Sequence, residues 1–304
     1  MTDALTDVLD SIRMRGSIFS RAELSAPWGF ESGRRPEGMF HAVVHGRAWA
    51  TLAEGGEPVE VGRGDIVLMP FGDNHLMTDA PGRPTRPLTS QSIVDERGMG
   101  HLVVEGGGAG TSLICGSVAF DEANPVFSML PRLIHVRDDT GHLSGIVETI
   151  IDLIADEVDG HVAGSETIVT RLTDVLIVYS LRQYILALPE TEVGWLAALR
   201  DPAIRDALGL IHRRPDRPWT AEQLASAVGM SRSSFFTRFR QTVGETPGDY
   251  FTRWRVYTAT RLLREDQLSV AATAHRVGYR TEASFSNAFV RVMGIRPGAY
   301  KRAA

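Results

Sequence analysis

The sequence is poor in cysteine and lysine and lacks long hydrophobic runs. One cysteine in 304 residues excludes a disulfide framework. The strongest apolar run, from Val175 to Leu181, is far too short to span a membrane. The acidic start MTDALTDVLD lacks the basic segment and apolar core of a signal peptide. We therefore expect a cytoplasmic protein without a membrane partner.

Charge is distributed unevenly along the chain. Residues 201–304 hold 17 Lys or Arg against 9 Asp or Glu, a balance of +8, whereas residues 1–200 hold 15 against 28, a balance of −13. The basic end is suited to binding phosphate groups. Because 31 of the 32 basic residues are Arg, a compositional bias is an alternative explanation of this excess.

The last hundred residues contain the same pattern twice. Upstream the offset is forty-nine, as between Gly229 and Gly278. Two copies are too few for a solenoid, which needs about three to bury a continuous core. The repeat therefore predicts two small paired units. At an offset of fifty the matched pairs are Phe235/Phe285, Phe239/Phe289, Gly244/Gly294, Pro247/Pro297, Gly248/Gly298 and Tyr250/Tyr300.

Each copy carries the signals of two short helices separated by a turn. In the first copy, Thr220 and Gln223 have the form of a capping box. Gly229 ends that helix, and Ser231 can cap a second helix that buries two phenylalanines. Helix, short turn and helix is the plan of a helix-turn-helix unit. The second copy repeats it, with Thr281 as the later cap.

The segment between the copies is predicted to be one uninterrupted helix. Thr246 and Pro247 favour a helix start, and residues 248–264 contain no internal breaker. A helix of this length spans roughly 25 Å. With the widths of the two units added, it could hold their second helices about 34 Å apart, which is one turn of DNA. We expect an all-α domain of two helix-turn-helix units joined by a linker helix.

The outer faces of the two second helices follow from the 3.6-residue period once the phenylalanines are buried. Small polar groups, one asparagine and one aromatic ring suit contact with base edges. The alternative is a helical module that docks on a protein. The outer faces also carry Arg240 in the first copy and Val290 in the second. The predicted base contacts are Ser233, Phe236, Thr237, Ala283, Ser286 and Asn287. The predicted phosphate contacts are Arg232, Arg238, Arg240, Arg280 and Arg291.

These segments resemble a known family. LASAVGMSRSSFFTRFRQTVG, YFTRWRVYTATRLL and VAATAHRVGYRTEASFSNAFVRVMGIRPGAYKR are similar to the AraC-type (AraC/XylS) regulators of bacterial transcription. The resemblance covers residues 205–302 and implies a sequence-specific DNA-binding protein that recruits or blocks RNA polymerase. Many members have an arginine where this chain has Thr237, and another where it has Asn287. The sequence of the target DNA is therefore not carried over from the family.

Residues 18–120 are rich in glycine, proline and short alternating segments, which predict a β-barrel or sandwich. The apolar segments are residues 40–45, 48–52, 65–69 and 112–115. The stretches FHAVVHGRAWATL and VEVGRGDIVLMPFGDNHLMTD resemble the small cupin barrels that serve as effector domains in this regulator family. In place of the cupin H-x-H pair, His41 and His45 stand four apart. We therefore expect an α+β chain, with a cupin-like effector and dimerisation domain at 1–190 and the DNA-binding domain at 201–304.

The histidines of this region are candidates for a site inside the barrel. Strand alternation puts His41 and His45 on one face, and the cupin comparison makes this the interior, with His75 opposite. Imidazoles that face each other could hold Zn²⁺, Ni²⁺ or Fe²⁺, with Cys115 as a further soft ligand. The alternative is a polar effector pocket with Trp49 stacked on a small-molecule ligand, in which case Cys115 is a small core residue.

Two amphipathic helices are predicted after the barrel. Their apolar stripes suit either a cap on the barrel or an antiparallel helix pair in a homodimer. Residues 189–200 would then form the linker. The stripes are Leu143, Ile146, Val147, Ile150, Ile151 and Ile154 in the first helix, and Ile168, Leu172, Val175, Leu176, Tyr179 and Ile185 in the second.

Three functions are consistent with these features. The first is an effector-responsive transcription regulator. The second is a cupin-type, metal-dependent enzyme, although no histidine pair stands with a carboxylate at motif spacing. The third is a constitutive DNA-binding protein whose barrel only dimerises. We expect the first of these, and no catalytic residue.

Overall fold

The chain divides into two compact units. The computed structural model describes residues 15–87, 100–119, 130–137, 145–160, 162–189 and 194–302. Within these ranges, residues up to 187 form the barrel unit, and residues from 188 onward form the helical unit. Residues 194–200 of the predicted linker thus belong to the helical unit, while 190–193 lie outside the described residues. No helix in the described ranges is long and apolar enough to cross a membrane.

The barrel unit is built on two sheets. One has six strands in the order β11-β6-β3-β10-β1-β9, and the other has five in the order β5-β4-β7-β2-β8. Neighbouring strands are antiparallel except for the β1/β9 and β2/β8 pairs. The strands are β1 (Arg15–Ser25), β2 (Gly29–Ser32), β3 (Gly38–His45), β4 (Arg47–Leu52), β5 (Val59–Gly62), β6 (Ile66–Met69), β7 (His75–Thr78), β8 (Arg86–Pro87), β9 (Gly100–Val104), β10 (Gly110–Ala119) and β11 (Ile134–Val136).

The two sheets share one hydrophobic core. Met39, Val43 and Leu113 enter it from the six-stranded sheet, and Phe30 and Ala50 enter it from the five-stranded sheet. In β2 and β4 buried residues alternate with more exposed ones, as the sequence predicted, whereas β3, β6 and β10 are buried on both faces. The predicted cupin-like barrel is confirmed, with strand bounds close to those expected.

Two helices follow the strands, α1 (Ile146–Gly160) and α2 (Ser165–Ala187). The buried stripe of α1 comprises Val147, Ile150, Ile151, Ile154, Ala155 and Val158. Leu143, predicted for the same stripe, lies outside the described residues. Arg63 holds α1 to the barrel, since it donates to Glu148 at 2.6 Å and to Asp152 at 3.3 Å. The first helix therefore packs on the barrel unit, next to β3, rather than standing apart from it.

The residues predicted to form one apolar stripe on α2 lie on two different surfaces of the helix, one buried and one exposed. Leu176 and Ile185 are buried within the barrel unit. Ile168 and Val175, which were predicted for the same stripe, are 44% and 42% exposed. The periodicity that predicted one apolar face could not separate the residues that pack inward from those that remain on the surface.

The helical unit contains two copies of one arrangement around a central helix. The first copy comprises α5 and α6, the second comprises α8 and α9, and α7 joins them. This confirms the predicted pair of helix-turn-helix units with a linker helix. The helices are α3 (Trp195–Ala198), α4 (Pro202–Arg213), α5 (Ala221–Ala227), α6 (Arg232–Val243), α7 (Pro247–Arg264), α8 (Val270–Arg276), α9 (Glu282–Met293) and α10 (Pro297–Arg302).

Capping residues determine where these helices begin. Thr220 and Gln223 form the predicted capping box at α5, with both reciprocal hydrogen bonds present. The side chains of Ser231 and Thr281 accept backbone N–H bonds at the starts of α6 and α9. A left-handed glycine, Gly244 in one copy and its equivalent in the other, ends each of these helices.

The same aromatic cluster fills each copy. Phe235 and Phe239 are fully buried, and the ring of Phe239 meets Tyr250 edge-on at 5.9 Å. In the second copy, Phe289 meets Tyr300 in the same way at 5.5 Å. Edge-to-face pairs at this distance are favourable, so the repeated phenylalanines and tyrosines explain why both copies fold alike.

Arg255 of α7 connects the two copies. Its guanidinium donates to the backbone oxygens of Pro215 and Arg217, at 2.6 and 3.2 Å, in the loop before α5. The same group lies 5.3 Å from the ring of Tyr279, which follows α8. Gly278 must lack a side chain here, because a Cβ would lie 2.2 Å from the carbonyl oxygen of Asp216.

A buried histidine links α4 to α7. The Nε2 atom of His212 lies 2.6 Å from the hydroxyl oxygen of Tyr250, and its ring stacks on Trp254 at 3.7 Å. Burial lowers the pKa of His212 to about 3, so the imidazole is neutral at physiological pH.

Candidate nucleic-acid interface and the barrel interior

The second helix of the first copy, α6, presents one polar face to solvent. Phe235, Phe239 and Val243 are buried, which turns the opposite side of the helix outward. That side carries Ser233, Phe236 and Thr237, all of them exposed. The ring of Phe236 keeps 40% of its area accessible, although it is an apolar side chain. The outward face predicted for this helix is therefore available to a ligand.

The corresponding helix of the second copy, α9, has the same orientation. Phe285 and Phe289 are fully buried behind it. Ala283 and Asn287 are exposed on the outer face, and Ser286 is half-buried. The structure thus brings the six predicted base-contact residues to two equivalent outward faces. Their contacts with bases remain a prediction.

The five arginines predicted to contact phosphates are all exposed: Arg232, Arg238, Arg240, Arg280 and Arg291. They differ in one respect, because Arg238 is already engaged in an ion pair with Asp201. Arg232 and Arg240 have no such partner among the described residues. An open depression of about 600 Å³ on the same helix is lined by Ser233, Ser234, Thr237, Arg238 and Gln241.

Asp201 is a residue of this surface that the sequence analysis did not identify. One carboxylate oxygen accepts the backbone N–H groups of Ala203 and Ile204 and so caps α4. The other accepts from Arg238. Asp201-Pro202 followed by apolar residues at helical spacing is a recognisable helix start, so the sequence contained a signal for the cap but none for the ion pair.

His41 and His75 meet inside the barrel, as predicted. Their Nε2 atoms are 2.7 Å apart, and the Nδ1 atom of His41 lies 2.9 Å from the sulfur of Cys115. The Nδ1 atom of His75 lies 2.8 Å from the carbonyl oxygen of Asp73, which can only accept, so this nitrogen carries the proton. His75 Nε2 then accepts from His41 Nε2, and His41 Nδ1 accepts from the thiol.

The side chains of His75, His41 and Cys115, which are linked by these hydrogen bonds, are uncharged. Burial lowers the pKa of both imidazoles, that of His41 well below its ordinary value. Burial also raises the pKa of the Cys115 thiol to about 12. Desolvation disfavours each charged form, and neutral hydrogen bonds satisfy the polar atoms instead.

This arrangement does not fit a divalent metal. A histidine ligand needs a free lone pair on the nitrogen that faces the metal, yet all four ring nitrogens of His41 and His75 take part in hydrogen bonds. Cys115 lies at the far side of the His41 ring from His75, so the three side chains form a line. In the described part of the chain, no three His, Cys, Asp or Glu side chains are grouped to hold a metal.

Two residues assigned to the effector pocket lie elsewhere. His45 is exposed, because a shift of register between Ser112 and Leu113 leaves one extra residue in β3 and turns His45 away from the inner face of His41. Trp49 points outward, since Ala48 and Ala50 on either side of it are fully buried. These positions correct the prediction that His45 and Trp49 share the interior with His41 and His75.

Trp28 is a further candidate for the pocket inside the barrel. It is 3% exposed, stacks on Phe30 at 6.1 Å, and Phe30 in turn lies 5.9 Å from the His41 ring. The indole nitrogen of Trp28 is buried, and no described residue accepts its hydrogen bond. A buried unpaired N–H costs about 1–3 kcal/mol, so a partner for it would be favourable.

Comparison with known proteins agrees with this division. Residues 3–186 match the family model described as cupin, and residues 224–303 match that of a helix-turn-helix domain. An AraC-like transcription regulator of Streptomyces lividans is 32% identical over 302 residues, covering 99% of this chain and 98% of the relative. The regulator AlkR of Acinetobacter baylyi is 30% identical over 309 residues and 99% of each chain. The solved DNA-binding domain of AdpA, in complex with a target DNA, is 32% identical, covers 34% of this chain and 92% of that one, and has a TM-score of 0.32.

Proposed function

The chain belongs to the AraC-like family of DNA-binding transcription regulators, and on that premise we propose that a small-molecule effector controls its binding to one DNA sequence. The DNA-binding domain would comprise residues 201–304, and residues 1–190 would bind the effector and dimerise. The regulator would act in the cytoplasm, on promoters where it recruits or blocks RNA polymerase.

One observation carries the DNA-binding mode: two equivalent helices, α6 and α9, expose their outer faces at matching positions. Ser233 and Thr237 in one copy correspond to Ala283 and Asn287 in the other. Capped starts and buried phenylalanines orient both helices alike. Such a pair is suited to two successive major grooves on one face of a duplex, with the surrounding arginines on phosphates.

The effector site that we propose lies in the barrel interior, beside Trp28, Phe30 and the His41/His75 pair. Support comes from the unpaired indole N–H of Trp28, which an acceptor on a ligand would satisfy. The proposal favours binding over catalysis, because the imidazoles of His41 and His75 are neutral and already hydrogen-bonded. The relatives named above are likewise called transcription regulators, and no enzyme is among them.

The dimer that we propose forms through α2. Ile168, Leu172, Val175, Tyr179 and Leu186, called the α2 seam here, follow one another at spacings of four, three, four and seven. Ile168, Val175 and Leu186 are 44%, 42% and 61% exposed. Spacings of three and four are those of a coiled-coil seam, and a second copy of α2 would cover it. Leu176, predicted for the same surface, is fully buried within its own unit and takes no part.

Selection of genomic fragments followed by titration tests this function. The full chain should enrich a specific promoter sequence, and compounds made or consumed by the products of the neighbouring genes should change its affinity. Transcription from that promoter by purified RNA polymerase should rise or fall when the chain is added. Specific binding that no compound alters would favour the constitutive alternative, and turnover of such a compound would favour an enzyme.

A further inference from the structure

The two outward helix faces occupy equivalent places in the repeat but differ in chemistry. At the offset of fifty, Thr237 corresponds to Asn287, and Arg240 corresponds to Val290. These residues lie at matching points on one stripe of each helix, one turn apart. Arg240 is exposed and Val290 is 39% exposed. The same position therefore offers a fork of hydrogen-bond donors in α6 and an apolar branched group in α9.

The side chains that differ are free to meet a ligand. Among the described residues, neither Arg240 nor Asn287 has a hydrogen bond or ion pair through its side chain. In contrast, Arg238 on the neighbouring side of α6 is held by Asp201. Formation of a base contact by Arg240 or Asn287 would thus break no interaction within the protein.

We propose that the operator has two unlike half-sites, one read by α6 that contains guanine and one read by α9 that contains only A·T pairs. Arginine bonds the O6 and N7 atoms of guanine bidentately, and asparagine bonds the N6 and N7 atoms of adenine. An apolar group at a base edge favours the methyl group of thymine. Arg240 lies on the outward stripe of α6 and is therefore reassigned here from a phosphate contact to a base contact. It reads the guanine, Asn287 reads an adenine, and Val290 contacts a thymine methyl. This inference rests on the proposed DNA-binding mode of the two helices.

The basic residues near α9 are placed for phosphates rather than bases. Arg291 follows Val290 directly and so lies about 100° around the helix from it. Arg280 precedes the helix, before the Thr281 cap. No lysine or arginine occupies the stripe formed by Ala283, Ser286, Asn287 and Val290. The second half-site therefore receives phosphate contacts without a side chain that selects guanine.

Selection of duplexes by the full chain tests the base composition. A random pool of roughly 30 base pairs spans two successive half-sites. We expect enriched duplexes with two conserved blocks about one turn apart, of which one contains guanine and the other only A·T pairs. Guanine on either strand of both blocks would overturn this inference and leave the function intact. Failure to enrich any sequence would instead overturn the proposed function.

Exchange of the equivalent residues assigns each block to its helix. Val290→Arg should create a preference for guanine in the A·T block. Arg240→Val should abolish the preference for guanine in the other block. The change in relative affinity should be roughly 5- to 150-fold at the affected base pair. Glu282→Gln is the matched control, because it also raises the charge of α9 by one unit but lies off the stripe. This control should strengthen binding to all duplexes equally. A Val290→Arg protein with unchanged base preference would contradict the assignment.

Removal of the thymine methyl group probes Val290 directly. Replacing thymine by uracil in the A·T block should weaken binding of the unchanged protein about fourfold per contacted methyl. The same replacement should weaken the binding of Val290→Ala much less, and this variant still folds because the site is on the surface. Equal loss in both proteins, or loss in neither, would refute the thymine contact.

Discussion

Substitution of Val175 by Asp tests the proposed α2 seam. The side chain projects from the centre of the exposed stripe, with 42% of its area accessible. It is not part of the buried face of α2, which is formed by Leu176, Ile177 and Leu181. The variant should therefore keep its fold while losing the dimer. The same change at Leu176 would unfold the barrel unit and could not test the interface.

The exposed areas set the size of the expected effect. Full burial of an aliphatic side chain is worth about 1.5–3 kcal/mol, so the exposed halves of Ile168, Val175 and Leu186 contribute roughly 1 kcal/mol each. In the dimer, the two copies of the seam together contribute about 6 kcal/mol to the free energy of association. Val175→Asp removes about 2 kcal/mol of this and buries two carboxylates, which cost several kcal/mol more. A total loss of at least about 4 kcal/mol corresponds to a thousandfold weaker dimer.

Sedimentation and operator titration of the full chain measure both consequences. We expect Val175→Asp to be monomeric and to bind the operator at least about 100-fold more weakly, since linked modules gain from effective concentration. Thr167→Asp is the control, because it places the same charge on α2 beside the seam and should remain dimeric. A dimeric Val175→Asp protein, or a monomer with unchanged affinity, would show that another surface joins the subunits.

Three further outcomes are expected. Asp201→Asn retains a good helix cap but releases Arg238 to contact a phosphate, so it should strengthen binding to every duplex. A salt titration measures this effect, and weaker or unchanged binding would contradict it. Gly278→Ala should cost more stability than Gly229→Ala in urea unfolding. Both positions have positive φ, at roughly 1–2 kcal/mol of strain, but only Gly278 faces backbone within 2.2 Å. The pKa of His212 in the folded state is about 3, well below its value in the unfolded state. The contribution of His212 to the free energy of unfolding is therefore complete above about pH 6.5 and is lost as the pH falls towards 3. The free energy of unfolding should fall by up to about 1.4 kcal/mol per pH unit, and less steeply in His212→Phe; equal slopes would refute the assignment.

Local patterns predicted most of the helical unit. The Thr220 capping box, the Ser231 cap and the buried phenylalanines depend on neighbours three or four residues away, and all are present. Arg255 and Asp201 escaped prediction, because their partners lie about 38 residues away in the loop before α5 and on α6. Long-range ion pairs and carbonyl contacts leave no periodic signal in the chain.

The barrel shows the limit of strand alternation. A period of two correctly placed His41 and Val43 on the inner face. One extra residue in β3 then reversed the face of His45, and no feature of the sequence indicates such a bulge. In the same way, the sequence brought His41, His75 and Cys115 together but could not show that their nitrogens bond one another.

Binding of the full chain to a selected operator tests the central claim most directly. Fluorescence anisotropy should show much tighter binding to this duplex than to a scrambled one, with affinity falling steeply as salt rises. The double variant Arg240→Ala and Asn287→Ala, altered on both outward faces, should lose most of that preference while keeping its helical content. Equal affinity for the two duplexes, or a double variant that still distinguishes them, would contradict sequence reading by α6 and α9.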